Sequence, residues 1–232
     1  MSGFPGATAV SRLRVYDWPA ADGQRGGSPH LHTASAEGYV VLRGEGTLET
    51  LSSASGYDEH PLAAGTVLWF TPGTVHRLVN TSGDLEILVV MQNAGLPEAG
   101  DAVLTFPPEV LADPPAYAAA AAAPTSPEAA RRRRDLALSG YLALKDRVRA
   151  EGPAALAELH RAAAVLVSGR AEDWRKLWED RALAQALRTG DQLTALAAGH
   201  GDHLADSAVH TGVPFPGPPR FGMCGHLNGW TL

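Results

Sequence analysis

Short apolar segments alternate regularly with turn residues between residues 38 and 92, and nothing else in the chain narrows the possible folds as much. The segments rich in β-branched and aromatic residues are 38–42, 46–51, 66–70, 76–80 and 85–92. Gly, Pro, Asp and Ser separate them, and no helix-length periodic segment interrupts them. This spacing predicts an antiparallel sandwich or barrel over residues 10–106.

The character of the chain changes after residue 106. Prolines and a run of alanines occupy residues 107–124, which predicts either a free linker or a structured excursion over the barrel. Ser126, Pro127 and Glu128 then supply an N-cap, a first-turn proline and a first-turn acid. A region of three to four helices is therefore expected. The predicted helical segments are 127–150, 154–167, 171–189, which Gly190 would end, and 192–198.

From residue 213 onward the chain is rich in Pro and Gly but retains the apolar residues Phe215, Phe221, Met223 and Trp230. Such a segment predicts an irregular apolar tail that packs on the barrel or on a partner subunit. The expected organisation is a barrel over residues 1–111, an Ala/Pro-rich connection over residues 112–126, and a helical region with this tail over residues 127–232.

Composition and charge narrow the classes of partner. The formal net charge is −6, with five Lys/Arg against twelve Asp/Glu in residues 1–111. The one basic run, residues 131–134, is interpreted as a solvated helix start, so no nucleic-acid partner is expected. No apolar stretch of membrane-spanning length and no secretory leader are visible. With Cys224 as the only cysteine, the expectation is a cytoplasmic protein without membrane attachment.

Two motifs contain residue types that bind metals. His30 and His32 lie two positions apart, and such side chains point to the same face of a strand. Glu37 follows after four residues and Gly44 after six more. The second motif contains Gly65, Pro72, Gly73, His76 and Asn80. Three imidazoles and one carboxylate form a nitrogen-rich donor set for Mn, Fe, Ni, Cu or Zn.

These motifs resemble the two motifs of the cupin superfamily. The first is Gly, five residues, His-x-His, three or four residues, Glu, six residues, Gly; the second is Gly, five residues, Pro-x-Gly, two residues, His, three residues, Asn. Gln24 stands where the first Gly is expected, and Thr71 replaces the Pro, which has moved to Pro72. These departures bear on turn shape, because neither position is a metal ligand. The matching positions are His30, His32, Glu37, Gly44, Gly65, Gly73, His76 and Asn80.

The resemblance covers roughly residues 10–106 and implies a cupin jelly-roll barrel there. Together with the helices expected after it, the predicted fold class is mainly β plus α, with the barrel followed by a C-terminal helical region. It also implies that one divalent transition metal is bound by His30, His32, Glu37 and His76. Fe, Mn or Ni is favoured, with Zn or Cu as alternatives. One or two coordination positions would stay open for water, dioxygen or substrate oxygens, which permits Lewis-acid or redox chemistry.

The wall of the expected pocket is less well determined. If Glu37 points inward, strand alternation turns Tyr39 and Val41 inward as well. Tyr39 and Trp69 are candidate substrate contacts, with ordinary core positions as the alternative. Arg77 is expected to face away from the pocket. On the last strand, the inward set is either Leu88 and Val90 or Ile87, Val89 and Met91.

Two further groups contain reactive residue types. His200, His203 and His210 are interpreted as surface histidines, because flanking glycines favour a loop. Cys224 and His226 could form a soft metal site or a nucleophile with its base. A buried cysteine beside a surface histidine is the favoured interpretation.

Three functions are consistent with the sequence. The first is a metal-dependent oxygenase, of the dioxygenase type, that acts on a small organic molecule. The second is a sugar or sugar-acid isomerase or epimerase, and the third is a non-catalytic cupin that senses a ligand. The expected partners are a small-molecule substrate and a second copy of the chain in a homodimer.

Overall fold

The computed structural model describes residues 4–232 as a barrel of two antiparallel sheets with helices packed on one of them. The barrel strands are β1 (Ala9–Val15), β2 (His30–His32), β3 (Glu37–Arg43), β4 (Glu45–Ser52), β5 (Gly56–Ala63), β6 (Val67–Phe70), β7 (Val75–Asn80), β8 (Glu86–Met91) and β9 (Ala102–Leu104). The tail adds β10 (Val213–Pro214), β11 (Arg220–Phe221) and β12 (Gly225–Thr231). One sheet has the order β10-β12-β1-β8-β3-β6, with β11 on β12, and the other β5-β4-β7-β2-β9. This is the predicted jelly roll.

The five predicted strand segments are confirmed as β3, β4, β6, β7 and β8. The predicted segments left residues 52–65 as a turn region, and this is wrong for most of it, because β5 runs from Gly56 through Pro61 to Ala63. β5 is the edge strand of its sheet. A proline is tolerated on an edge strand, since no strand beyond it needs the missing N–H.

Strand alternation gives the barrel an apolar interior. Tyr39 and Val41 are buried inside, as predicted. The sequence left open which face of β8 turns inward, and the burial pattern decides it. The inward set consists of Ile87, Val89 and Met91.

The helical region begins directly after the barrel. Its helices are α1 (Pro108–Leu111), α2 (Pro114–Ala121), α3 (Pro127–Glu151), α4 (Ala157–Val167), α5 (Ala171–Trp178) and α6 (Ala184–Ala197). α3 begins as predicted, since the Ser126 hydroxyl accepts a hydrogen bond from the Ala129 N–H at 3.2 Å. The connection is a structured excursion, because Leu111 and Tyr117 pack into the cluster under the helices. Between residues 4 and 232, no helix has both the length and the apolar composition that crossing a membrane requires.

The predicted end of the third helix at Gly190 is wrong. α5, a π-helical turn (Glu179–Leu183) and α6 follow one another without a break. Glycine inside a helix costs only about 1 kcal/mol relative to alanine. The Ala, Leu, Arg and Gln residues around Gly190 are good helix formers and offset that cost.

The helices cover the outer face of the β5-β4-β7-β2-β9 sheet. One apolar cluster joins Leu31, Val75 and Val103 of the sheet to Leu138 and Leu156 of the helical region. Leu31 and Val75 alternate along β2 and β7 with His30, His32 and His76, which point into the barrel. The strands therefore present the candidate site on one face and carry the helices on the other.

A buried ionic cluster also joins α3 to this sheet. Glu49 accepts hydrogen bonds from Arg77 at 3.3 Å, Tyr141 at 3.2 Å and Lys145 at 3.3 Å. Arg77 is fully buried and forms a second ion pair with Asp22 at 2.6 Å. As predicted, Arg77 faces away from the barrel interior. Breaking such a cluster leaves an uncompensated buried charge, so the cluster fixes where α3 docks.

The interpretation of residues 131–134 as a solvated helix start is wrong for half of the run. Arg134 is buried and donates to the carbonyl oxygens of Trp18 at 2.8 Å and Pro19 at 2.7 Å. Arg133 is also buried and donates to Gly222 O at 2.8 Å. These acceptors are distant in sequence, so composition gave no sign of them. The two guanidinium groups tie α3 to two loops of the barrel.

The tail is not irregular throughout, contrary to the prediction. β12 pairs with β1 from Ser11–Gly229 to Val15–Gly225 and extends the sheet of the barrel. Glycines are depleted in strands, which hid β12 from sequence analysis. At Gly225 a Cβ would lie 2.0 Å from Arg14 O, so the close pairing requires glycine. The domain boundaries at residues 111 and 126 stay a prediction.

Candidate metal centre

Three strands bring the four predicted ligand residues to one end of the barrel interior. His30 and His32 project from β2, Glu37 begins β3, and His76 lies in β7. His30 and His76 are direct partners across the β2–β7 pair. All four are buried, while Leu31, between the two histidines of β2, packs on the opposite face under the helices.

The potential donor atoms of these residues converge. Each residue offers one atom, and the four atoms all lie within 4.8 Å of one another. The Nε2 atoms of His30 and His76 are 3.1 Å apart, and Glu37 Oε2 lies 3.1 Å from His32 Nε2. Bonds of about 2.1 Å to a central cation require donor atoms roughly 3 to 4 Å apart. The cluster could therefore hold one metal ion.

The outer ring nitrogens of two histidines determine where their protons lie. His30 Nδ1 is 2.9 Å from Ser28 O, and His76 Nδ1 is 3.2 Å from Thr74 O. Because a carbonyl oxygen only accepts, each Nδ1 carries the proton and each Nε2 directs a lone pair at the centre. Two lone pairs 3.1 Å apart repel each other unless a cation or a proton lies between them. The arrangement fits a bound cation.

Glu37 gives the second indication of a cation. Its Oε2 is buried and has no hydrogen-bond partner, although it lies 3.1 Å from His32 Nε2 and 3.2 Å from His76 Nε2. A buried carboxylate oxygen without a partner is costly, and a divalent cation removes that cost. Three imidazoles and one carboxylate suit a divalent transition metal, so the residues present fit such a group.

Asp101 is a site residue that the sequence analysis missed. It is fully buried, and its Oδ1 accepts from His32 Nδ1 at 2.6 Å. A carboxylate in this position fixes the ring and directs the other nitrogen toward a metal. Asp101 follows a loop and precedes the three-residue strand β9, which pairs with β2. Asp101 lies beside His32 only because of that pairing, and no local sequence pattern predicts the pairing.

Electrostatics divide the cluster into neutral and charged groups when no metal is bound. Burial, together with His76 and His32, holds the pKa of His30 well below its usual value. Burial would lower the pKa of His32, but the nearby carboxylates of Asp101 and Glu37 raise it to about 10. Burial would raise the pKa of Glu37, yet His76 and His32 hold it well below its ordinary range. Metal binding must therefore displace a proton from His32.

The wall beside the donor set is mostly apolar. Phe70 lies against His76, with ring centroids 4.3 Å apart, and contacts Tyr39 edge-on at 5.5 Å. The Tyr39 hydroxyl is buried without a hydrogen-bond partner; burial and then Glu37 raise its pKa well above the usual value. Both predictions for Trp69, a pocket contact or a core position, are wrong, because Trp69 pairs with Gly38 and its side chain is 75% exposed. Its neighbour Phe70 faces inward instead.

Residues of the helical region border the same end of the barrel. Hydrogen bonds connect His160 to Gly73, Arg170 to Gly100, Arg181 to Ala94 and Gln185 to Ala7. Gly73 precedes His76, and Gly100 precedes Asp101, so two of these contacts are made on loops that lead into the site.

The remaining candidates lie apart from the donor set. His200 and His210 are exposed and His203 is half-buried, in agreement with the prediction of surface histidines. Cys224 is buried in the interior cluster, and burial raises the pKa of its thiol. His226 instead contacts the ring of Tyr16 at 5.3 Å, so the thiol and the imidazole do not form a pair.

Comparisons with solved structures found partial overlaps with several proteins. An uncharacterised protein with a double-stranded beta-helix domain from Klebsiella pneumoniae has 17% identity over 39% of this chain and 71% of its own, with a TM-score of 0.32. Pac13, a nucleoside dehydratase from Streptomyces, has 18% identity over 44% and 70%, with a TM-score of 0.33. A predicted oxalate decarboxylase from Thermotoga maritima has 26% identity over 37% and 64%, with a TM-score of 0.28. At TM-scores this low, the overlaps give no information about activity.

The family comparison is more direct. No curated protein sequence matches the chain. Residues 20–91, however, match the sequence profile of the Cupin domain family. That span contains both histidine motifs and all four residues of the donor set. With the profile, the motifs and the two-sheet topology in agreement, the β-barrel of this chain is a cupin domain.

Proposed function

We propose that this protein is a metal-dependent oxygenase that acts on a small, largely apolar organic molecule. The observation that carries the proposal is the position of a three-histidine, one-carboxylate donor set beside an apolar interior wall. Fe, Mn or Ni is the favoured metal, and Zn or Cu would also suit the donors. When bound, such a metal supplies open coordination positions and redox chemistry for the activation of dioxygen.

The protein's own residues would hold and orient this centre. His30, His32, Glu37 and His76 would be the ligands. The carbonyl groups of Ser28 and Thr74 and the Asp101 carboxylate fix the rings through their Nδ1 protons. Glu37 would contribute the one negative charge among the ligands. This shell of acceptors favours one ring orientation before the metal arrives, which lowers the cost of binding.

The wall favours an apolar substrate over a sugar acid. Tyr39, Phe70 and Met91 supply aromatic and thioether surface near the donor set. Besides the metal, a sugar acid would need polar partners for its hydroxyl groups, whereas Arg77, the cation nearest in sequence to a ligand, is paired with Asp22 and Glu49 outside the barrel. An apolar molecule needs no such partner.

Tyr39 is the residue we assign to substrate contact. Its hydroxyl is the only polar atom of that side chain, and it is buried with its hydrogen-bonding capacity unused. Its raised pKa keeps the proton on the oxygen at neutral pH. The hydroxyl can therefore donate to an oxygen atom of a bound molecule. Satisfying this donor would favour substrates with one polar group on an otherwise apolar frame.

Oxygen consumption by metal-loaded protein tests the proposal. The protein is loaded separately with Fe²⁺, Mn²⁺ and Ni²⁺ and assayed with a panel of small aromatic and aliphatic alcohols, ketones and carboxylic acids. Substrate-dependent uptake is expected in the wild type and in the surface variant His210→Ala, and its loss is expected in His76→Ala. Conversion of a sugar without oxygen uptake would instead favour an isomerase or epimerase.

Ligand sensing without turnover is the second candidate. The contacts of His160 with Gly73 and of Arg170 with Gly100 favour it, because they join the helical region to loops that lead into the site. Saturable binding of a panel compound that changes the protein's thermal stability, with no product formed under any metal, would favour this function. The small-molecule partner and the homodimer stay predictions under either function.

A further inference from the structure

A cavity lies outside the barrel, between α1, α3 and α4. It is a groove of about 190 Å³ with almost entirely apolar walls. Phe106, Leu111, Leu144 and Leu159 line its floor, and Arg147 and Glu158 stand at its rim. The donor set of the metal centre belongs to the other face of the sheet, so the groove is separate from the site described above.

Small side chains create the groove. Ala143 on α3 and Ala162 on α4 both line it, and larger apolar residues at these positions would take up part of the space. Each of the two helices is held against the barrel. A Cβ on Gly140 of α3 would lie 2.3 Å from Thr105 O, so α3 already touches the chain beneath it. On α4, His160 Nε2 forms a hydrogen bond with Gly73 O at 2.9 Å. Fixed walls of this kind keep the groove open instead of letting the helices collapse into it.

The size of the groove limits its occupant. Apolar cavities of about 150 Å³ accept a benzene ring, so this groove accommodates a single ring or a short branched chain. A peptide helix, about 10 Å across, is too large for it.

The rim limits the charge of the occupant. Arg147 lies 2.9 Å from Glu158 and 3.9 Å from Glu151, so one cation already faces two carboxylates. A third carboxylate, on a ligand, would be repelled by this surplus of negative charge. A hydroxyl group would instead find an acceptor in Glu158.

We propose that this groove is a second ligand site, for an uncharged molecule of one aromatic ring or a comparable branched chain with a hydroxyl directed at the rim. The proposal does not depend on the metal centre or on its activity. Filling the groove from either wall should exclude the ligand, because the walls cannot move apart without breaking their contacts with the barrel.

Calorimetric and ligand-detected NMR titrations of the full chain with p-cresol test the proposal, with benzoate as the charged comparison. Saturable binding of p-cresol is expected, with benzoate binding more weakly. Ala162→Leu and Ala143→Leu should each weaken p-cresol binding by at least about tenfold. Ala164→Leu is the matched control on α4, since Ala164 is exposed and does not line the groove. Circular dichroism and Tm establish that each variant is folded.

The variant His76→Ala separates this site from the metal centre. It should bind p-cresol as the wild type does, whatever its metal content. Loss of binding in His76→Ala, with binding retained in both groove-filling variants, would place p-cresol in the barrel and overturn the proposal. Absence of saturable binding in the wild type would also overturn it. Tighter binding of benzoate than of p-cresol would overturn the assignment of an uncharged ligand.

Discussion

Replacing Asp101 with Asn should weaken metal binding, although it changes none of the four ligand residues. Asn keeps the shape of the side chain, and its amide oxygen can still accept from His32 Nδ1. The negative charge is lost, however, from a buried contact of 2.6 Å. Hydrogen bonds to charged groups contribute about 1.5 to 3 kcal/mol and neutral ones about 0.5 to 1.5. The midpoints of these ranges differ by about 1.2 kcal/mol, which corresponds to an intrinsic metal Kd about eightfold higher.

Proton competition adds a pH dependence to this change. With the pKa of His32 at about 10 in the metal-free protein, each metal ion displaces one proton at neutral pH. The apparent affinity of the wild type should therefore rise about tenfold per pH unit between pH 7 and 9. Asp101→Asn removes the strongest influence that raises this pKa, so His32 loses its proton at lower pH and the slope becomes shallower. The loss of apparent metal affinity in Asp101→Asn, relative to the wild type, is thus largest at pH 9 and smaller at pH 7.

Calorimetric titration with Ni²⁺ in the presence of a competing chelator measures both effects. Repeating it at pH 8 in buffers of different ionisation enthalpy counts the protons released, with about one expected from His32 in the wild type and fewer in Asp101→Asn. Asp58→Asn, an exposed acid, is the control and should match the wild type. Equal slopes and equal proton counts for the wild type and Asp101→Asn would refute the assigned role of Asp101.

Three further predictions concern single residues. Glu37→Gln should keep the fold by circular dichroism but lose metal during dialysis, because the amide supplies no negative charge; normal retention would exclude Glu37 as a ligand. Tyr39→Phe should retain metal and unfold at an equal or slightly higher temperature, since it removes a buried hydroxyl without a partner, yet oxygen uptake should fall. Glu49→Ala should lower the free energy of unfolding by about 3 to 5 kcal/mol in urea titrations, because Arg77 and Lys145 lose a shared partner, whereas exposed Glu45→Ala should change it by less than about 0.5 kcal/mol.

Local patterns predicted the parts of the site that depend on local rules. His30 and His32 share a face because strand side chains alternate, and the same rule turned Tyr39 and Val41 inward. The turn before His76 and the capping of α3 by Ser126 are equally local. These features follow from neighbouring residues alone.

Features that depend on distant pairing were missed. Asp101 reaches His32 only because β9 pairs with β2, and β12 forms only because β1 offers it an edge. Phe70 faces inward because Glu37 is its partner across β3 and β6. The register between two strands that a long connection separates cannot be predicted from the sequence of either strand alone. For this reason the sequence did not show whether Trp69 or Phe70 faces the site.

Metal content of protein purified without added metal tests the central claim most directly. Inductively coupled plasma mass spectrometry should find about one divalent transition metal per chain in the wild type and in His210→Ala. His76→Ala should lose most of it, because the donor set is then incomplete. A wild-type protein that neither carries nor takes up such a metal, or a His76→Ala variant with unchanged metal content, would contradict the assignment of His30, His32, Glu37 and His76 as its ligands.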